Sequence, residues 1–191
     1  MLLALITLAF IHFCALITPG PDFFLVSQTA ISRSRKDAML VVAGITAGVM
    51  FWACLALMGL NLIFEKMAWL KQGLLIAGGL YLCWLGYQML RSAFSKNEQD
   101  GNVAVELPKA PYLFFIKGLI TNLSNPKAVI YFGSVFSLFL ANPQLDQVHW
   151  LLFIIVTVET ILWFCFVTFI FSLPSFRAAY RNFSKWIDGI S

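Results

Sequence analysis

The sequence predicts an all-α, polytopic helical membrane protein, and three observations carry that expectation. Of its 191 residues, 60% are hydrophobic and 12% charged, with a mean hydropathy of +0.83, which leaves too little polar surface to coat a soluble globule. The apolar residues gather into runs of about 20 or more, the length a helix needs to cross the hydrocarbon core of a bilayer. Two of these runs are interrupted by proline, at Thr18-Pro19-Gly20-Pro21-Asp22 and at Leu123-Ser124-Asn125-Pro126-Lys127.

In chain order, the expected spans are Met1–Ile31, broken at Pro19-Gly20-Pro21, then Ala38–Phe64, Ala68–Leu90, Tyr112–Ala141, broken at Asn125-Pro126, and Val148–Leu173. The first run lacks a basic leader and runs into Pro-Gly-Pro-Asp instead of a small-residue cleavage site, so it is expected to be retained and not removed as a signal peptide. Ser92–Pro111, rich in Ser, Lys, Asn, Glu, Asp and Gly, reads as the linker between two halves, residues 1–92 and 112–191, with 93–111 as its body. Lysines and arginines collect after the first span, around the linker and after the fifth span, so the positive-inside rule makes those loops cytoplasmic and the N-terminus periplasmic. Trp69, Trp150 and Trp186, near span starts, fit interfacial anchors.

The net charge of +4 is scattered through short loops with no basic face, which argues against a nucleic-acid partner and for lipid. Cys14, Cys54, Cys83 and Cys165 each lie within an apolar run, far apart and without metal-ligand spacing. They read as small core residues, with no disulfide framework, metal or cofactor expected.

The halves echo each other. Pro21 and Pro126 lie 105 positions apart, Trp52 and Cys54 align with Trp163 and Cys165 at an offset of 111, and Trp69 aligns with Trp186 at 117. Offsets that grow in small steps are what loop insertions between equivalent helices produce. With three spans per half, the second copy enters the membrane from the opposite side, the inverted-repeat plan of many secondary transporters. The second copy's third helix would only begin at Trp186, so the sixth helix is expected to be missing or truncated.

Proline removes an N–H and clashes with the preceding turn, so Pro19, Pro21 and Pro126 should each break a helix, with Gly20 free to turn. In hydrocarbon such irregular backbone survives only when buried in protein or lining a watery cavity. In the expected orientation the half-helices after Pro21 and Pro126 run in opposite directions, and their positive N-terminal ends meet near mid-membrane, a place for an anion. Asp22 either complements the dipole of its own helix or meets a ligand. Lys127 is at the wrong end of its helix for the dipole, so it either pairs with a carboxylate, Asp22 being the symmetric candidate, or faces a substrate carboxylate. Asn122, Ser124 and Asn125 are polar enough to line the site, although capping a helix explains at least one of them. Glu159, mid-span, would cost on the order of 2.5–3.5 kcal/mol facing lipid, so it is expected to face the bundle interior, carrying a proton, holding an ammonium or making a structural hydrogen bond. His12 is expected to be a hydrogen-bonded interior residue, with a proton relay as its functional alternative. Gly44, Gly48, Gly78, Gly79 and Gly86 read as close-packing positions.

The Pro19-Gly20-Pro21-Asp22 break, Ser32-Arg33-Ser34-Arg35-Lys36, Tyr81-Leu82-Cys83-Trp84-Leu85-Gly86-Tyr87 and Asn122-Leu123-Ser124-Asn125-Pro126-Lys127-Ala128 resemble the LysE/RhtB family of amino-acid exporters, nearest its threonine-efflux branch. The resemblance covers nearly the whole chain, departing at the C-terminus, where such proteins continue into a last hydrophobic helix. It implies a bacterial inner-membrane exporter of threonine or related small neutral amino acids, driven by the proton gradient, with an amino acid, protons and lipid as partners and a homo-oligomer compatible with it. By this reading the amino-acid carboxylate meets the two helix N-termini and Lys127, while Asp22 or Glu159 takes the ammonium or a proton. A cation or metal exporter would need more converging ligands than Asp22, Glu159 and His12. A non-transporting scaffold would not need charges at helix breaks, and no nucleophile–base pair points to an enzyme.

Overall fold

The structure, a computed structural model, describes residues 1–59 and 110–174 continuously, with isolated positions between 66 and 87 and at 176. The described residues form helices joined by tight breaks, and the chain is a polytopic helical membrane protein.

Helix α1 (Leu2–Ile17) stops ahead of Pro19: Thr18, at φ −59° and ψ 117°, adopts the extended geometry that proline imposes on the residue before it. Helix α2 (Pro21–Ser32) restarts with Pro21 in its first turn, where a missing N–H costs nothing, and Asp22 beside it. The two helices bend by 58° at the break. Helix α3 (Arg35–Leu57) opens on a capping box, in which the Ser34 hydroxyl accepts from the Asp37 N–H at 3.1 Å and the Ser34 N–H donates to Asp37 Oδ2 at 3.4 Å. It ends sooner than the hydropathy run to Phe64, because Gly59 takes the left-handed conformation (φ 92°) that closes a helix.

In the second half, α4 (Pro111–Leu123) ends at Ser124 and α5 (Pro126–Ile130) begins after Asn125. The chain continues through a π-helical stretch, Tyr131–Phe136, into α6 (Ser137–Leu140). Wide π turns free a carbonyl from the usual ladder, and the Ser137 hydroxyl donates to Phe132 O at 2.8 Å. A 3₁₀ turn (Pro143–Val148), capped by Asn142, leads into α7 (His149–Phe171). Arg35–Leu57 and Pro143–Phe171 are each long and apolar enough to cross a membrane, and α1 with α2 makes a third span when the bent pair counts as one.

Helix α3 packs most extensively on α4. A Cβ at Gly44 would run into Phe115 O, and one at Gly118 into Val41 O, so both positions must be glycine for the backbones to approach this closely. Of the glycines expected to serve close packing, Gly44 and Gly48 do so. Two apolar clusters flank the breaks, one around Trp52, Phe132, Phe136 and Leu152, the other around Val26, Ile45, Phe114 and Phe164. Leu3, Phe10, Phe24, Phe51, Leu162 and Phe166 point outward, as a lipid-facing surface requires. Cys14 and Cys54 are also exposed and unpaired, which corrects the core placement expected for them; toward lipid a thiol behaves as a small apolar group.

Apart from isolated positions, the third span Ala68–Leu90 with its glycines lies outside the described residues, as do residues 93–109 of the linker, the basic loop from Arg177, Trp186, any sixth helix and Cys83.

Candidate functional site

The end of α1 leaves carbonyls of its last turn without intrahelical partners. Lys127, from the other half of the chain, supplies them: its Nζ donates to Ala15 O at 2.7 Å and to Thr18 O at 2.8 Å. The return connection comes from the second break. Asn125 caps α5, its Oδ1 accepting from the Lys127 N–H at 3.0 Å, which leaves its Nδ2 to donate to Asp22 Oδ2 at 3.0 Å. Asn122 Nδ2 donates to the same oxygen at 2.9 Å.

The second break therefore carries the charge that the end of α1 needs, and Asp22 of the first accepts from two amides beside the second. Asp22 sits at the positive end of α2, and Lys127 sits at the negative end of α1. Lys127 is misplaced for its own helix, as expected, and well placed for α1, a role the sequence reading did not weigh. Asp22 and Lys127 do not close an ion pair; among the described residues the contact within 4.0 Å is His149 with Asp146.

Both charges keep one valence open. Asp22 Oδ1 is buried without a hydrogen-bond partner, and an ammonium has three hydrogens, of which Lys127 uses two on the α1 carbonyls. Both residues line one small cavity of about 40 Å³, room enough for water. Asp22, Asn122, Asn125 and Lys127 line its polar side. Val49, Leu16, Phe132 and Phe164 make an apolar side, and His12 and Tyr131 close the wall between.

Neighbouring glycines shape this site by what they lack. A Cβ on Gly48 would stand 2.5 Å from Asn122 Oδ1, so the Asn122 side chain occupies the space that a larger residue would take. Gly20 is extended (φ −156°, ψ −177°), a conformation open to any residue, so the turning freedom expected of it is not used. A Cβ there would sit 3.4 Å from Lys127 Nζ, in ordinary contact. Pro19, Pro21 and Pro126 set the breaks and are not among the described residues lining the cavity.

Glu159 does not join this group. It is half-buried and lines a second, wider cavity of about 430 Å³ with Phe13, Trp163 and the outward-facing Leu162 and Phe166, not the bundle interior where it was expected. Its Oε2 is out of solvent and has no partner. The boundary between the two cavities is narrow: on α1, His12 faces one and Phe13 the other, and on α7 Thr160, bonded to His12 at 3.3 Å, follows Glu159. His12 is the hydrogen-bonded interior residue it was expected to be, and it lines the central cavity as well. Tyr131 was not anticipated; its signal was its position one helical turn after Lys127, on the same face.

The LysE type translocator family profile matches residues 13–191. The threonine efflux protein of Escherichia coli (strain K12) is 54% identical over 192 residues, covering 100% of this chain and 93% of that protein. An uncharacterized membrane protein of Haemophilus influenzae is 36% identical, covering 98% and 90%. The leucine efflux protein of Klebsiella pneumoniae is 27% identical, covering 89% and 78%. No solved structure matches the chain.

Proposed function

The chain belongs to the LysE type translocator family, and from that premise we propose that it is an exporter and not an enzyme, moving threonine or a related small neutral amino acid out across the bacterial inner membrane by alternating access coupled to protons. The observation that carries the reading is the cavity at which Asp22 and Lys127 each present an unused valence of opposite sign. A zwitterion needs both at once. Asp22 Oδ1 accepts from the amino-acid ammonium, the third Lys127 hydrogen meets the carboxylate, and the N-termini of α2 and α5 add their dipoles to the carboxylate's field. Threonine and leucine efflux relatives at 54% and 27% identity support a small amino acid as cargo.

Glu159 is the group we assign to proton exchange. An ionisable side chain within a transmembrane helix is a natural candidate for a proton relay. Its separation from Asp22 lets cargo and proton bind without competing for one carboxylate. In this reading residues 1–92 and 112–191 are inverted halves, joined by a cytoplasmic linker at 93–111, with the N-terminus periplasmic.

The test is transport by purified protein in liposomes loaded with unlabelled threonine, measuring uptake of labelled threonine by exchange, and net flux under an imposed pH gradient. Exchange together with a flux that reverses when the gradient reverses is expected. Folded protein that exchanges no small amino acid would end the exporter reading, and a net flux indifferent to the gradient would end proton coupling alone.

A further inference from the structure

Besides Asn122 Oδ1, which packs against Gly48, two polar groups on the cavity wall are left over once the ammonium and carboxylate of an amino acid are placed. His12 and Tyr131 are 3% and 7% exposed, and their rings stand 5.0 Å apart between centroids. Both line the cavity, and His12 Nδ1 and the Tyr131 hydroxyl have no partner within the protein. Buried polar groups are nearly always satisfied, and two orphans on neighbouring rings of one cavity wall fit a ligand that would satisfy both.

The hydrogen bonds around His12 say which kind of ligand. The Thr160 hydroxyl donates its one hydrogen to Val156 O at 2.7 Å, so its oxygen accepts from His12 Nε2, 3.3 Å away. In the neutral imidazole that places the hydrogen on Nε2 and leaves Nδ1 a bare acceptor. Tyr131 brings a hydrogen to donate. An acceptor beside a donor is the complement of an alcohol, which gives its hydrogen to one and takes a hydrogen from the other. An ammonium only donates and a carboxylate only accepts, and both already have places at Asp22 and Lys127. Lys127 and Tyr131 are one helical turn apart, about 5–6 Å along the axis, a separation that a small amino acid can bridge.

We propose that His12 Nδ1 and the Tyr131 hydroxyl form a hydroxyl-reading pair that selects an amino acid bearing a side-chain alcohol over its apolar isostere. This rests on the exporter reading above and deepens it by assigning the specificity. A site that offers hydrogen bonds to a hydroxyl rejects the analogue lacking it, because its own buried groups then go unpaired.

Threonine and valine have nearly the same shape and differ by a hydroxyl for a methyl, so they are the probes. In liposome exchange, wild-type protein is expected to prefer threonine to valine by about 100-fold or more in concentration for half-maximal inhibition. Tyr131→Phe removes only the phenolic oxygen, and His12→Gln keeps a donor toward Thr160 while losing the Nδ1 acceptor. Each should cut the threonine-to-valine preference by about tenfold or more, with valine exchange kept and serine losing ground in parallel with threonine. An unchanged ratio in both variants overturns the proposal. So does a wild-type protein that exchanges threonine and valine equally well, a result that needs no variant and leaves the exporter reading standing. A wild-type protein that moves neither would overturn both.

Discussion

Replacing Gly48 with alanine tests the site without touching any group that meets cargo. The added Cβ would stand 2.5 Å from Asn122 Oδ1, 2.9 Å from its Cβ and 3.0 Å from its Cγ. Ordinary contact between such atoms is about 3.5–4 Å, so something must give by about 1 Å. Helix α3 cannot retreat cheaply, because its Gly44 and the Gly118 of α4 hold the two backbones together. Asn122 must therefore move, and its 2.9 Å bond to Asp22 lengthens past the range of a hydrogen bond. Overpacking of this kind costs about 1–3 kcal/mol in stability, and a hydrogen bond to a charged group is worth about 1.5–3 kcal/mol. The expected result for Gly48→Ala is a lower unfolding temperature in detergent and threonine exchange with an affinity weaker by about 10- to 100-fold. Asn122→Ala removes the Cγ and Oδ1 contacts, so adding Gly48→Ala to it should cost distinctly less than in the wild-type background. Wild-type affinity and unfolding temperature in Gly48→Ala would refute the close approach and, with it, the role given to Asn122.

Other substitutions separate the parts of the site. Asp22→Asn keeps the shape and can still receive the two amides, but it turns the open Oδ1 acceptor into a donor; threonine exchange should fall by about 10- to 100-fold with little change in unfolding temperature, and unchanged exchange would remove Asp22 from cargo binding. Lys127→Ala should lose exchange and also unfold earlier, because it strips two charge-assisted hydrogen bonds of about 1.5–3 kcal/mol each from the end of α1; undiminished stability would show that the α1 carbonyls do not depend on it. Glu159→Gln should keep threonine exchange while its net flux stops responding to an imposed pH gradient, and a retained response would exclude Glu159 as the proton carrier.

The fold was legible where single residues act on their own backbone. Proline cannot donate, so Pro21 and Pro126 mark their helix starts in the sequence as they do in space. Asn125-Pro126 likewise reads as a cap followed by a first turn. What could not be read were partners chosen across the bundle. Nothing near Lys127 in sequence names the carbonyls of Ala15 and Thr18, more than a hundred residues away, so its own helix offered a misleading account of it. Glu159 was expected to face the bundle interior, yet among the described residues it stands beside the outward-facing Leu162 and Phe166; hydropathy has no angular resolution fine enough to separate two cavities one residue apart. Gly20 misled in another way: glycine beside proline signals a turn, and the chain passes through it extended. The π-helical stretch after Ile130 has no composition of its own, and it is this stretch that opens with Tyr131.

The cross-bonding of the breaks has a mechanical consequence. Four hydrogen bonds to charged groups tie the first break to the second, and pulling the two apart would forfeit about 1.5–3 kcal/mol for each. The discontinuities that look like hinges are thereby riveted to one another. For the alternating access proposed above, the pivot would lie away from this stitched centre.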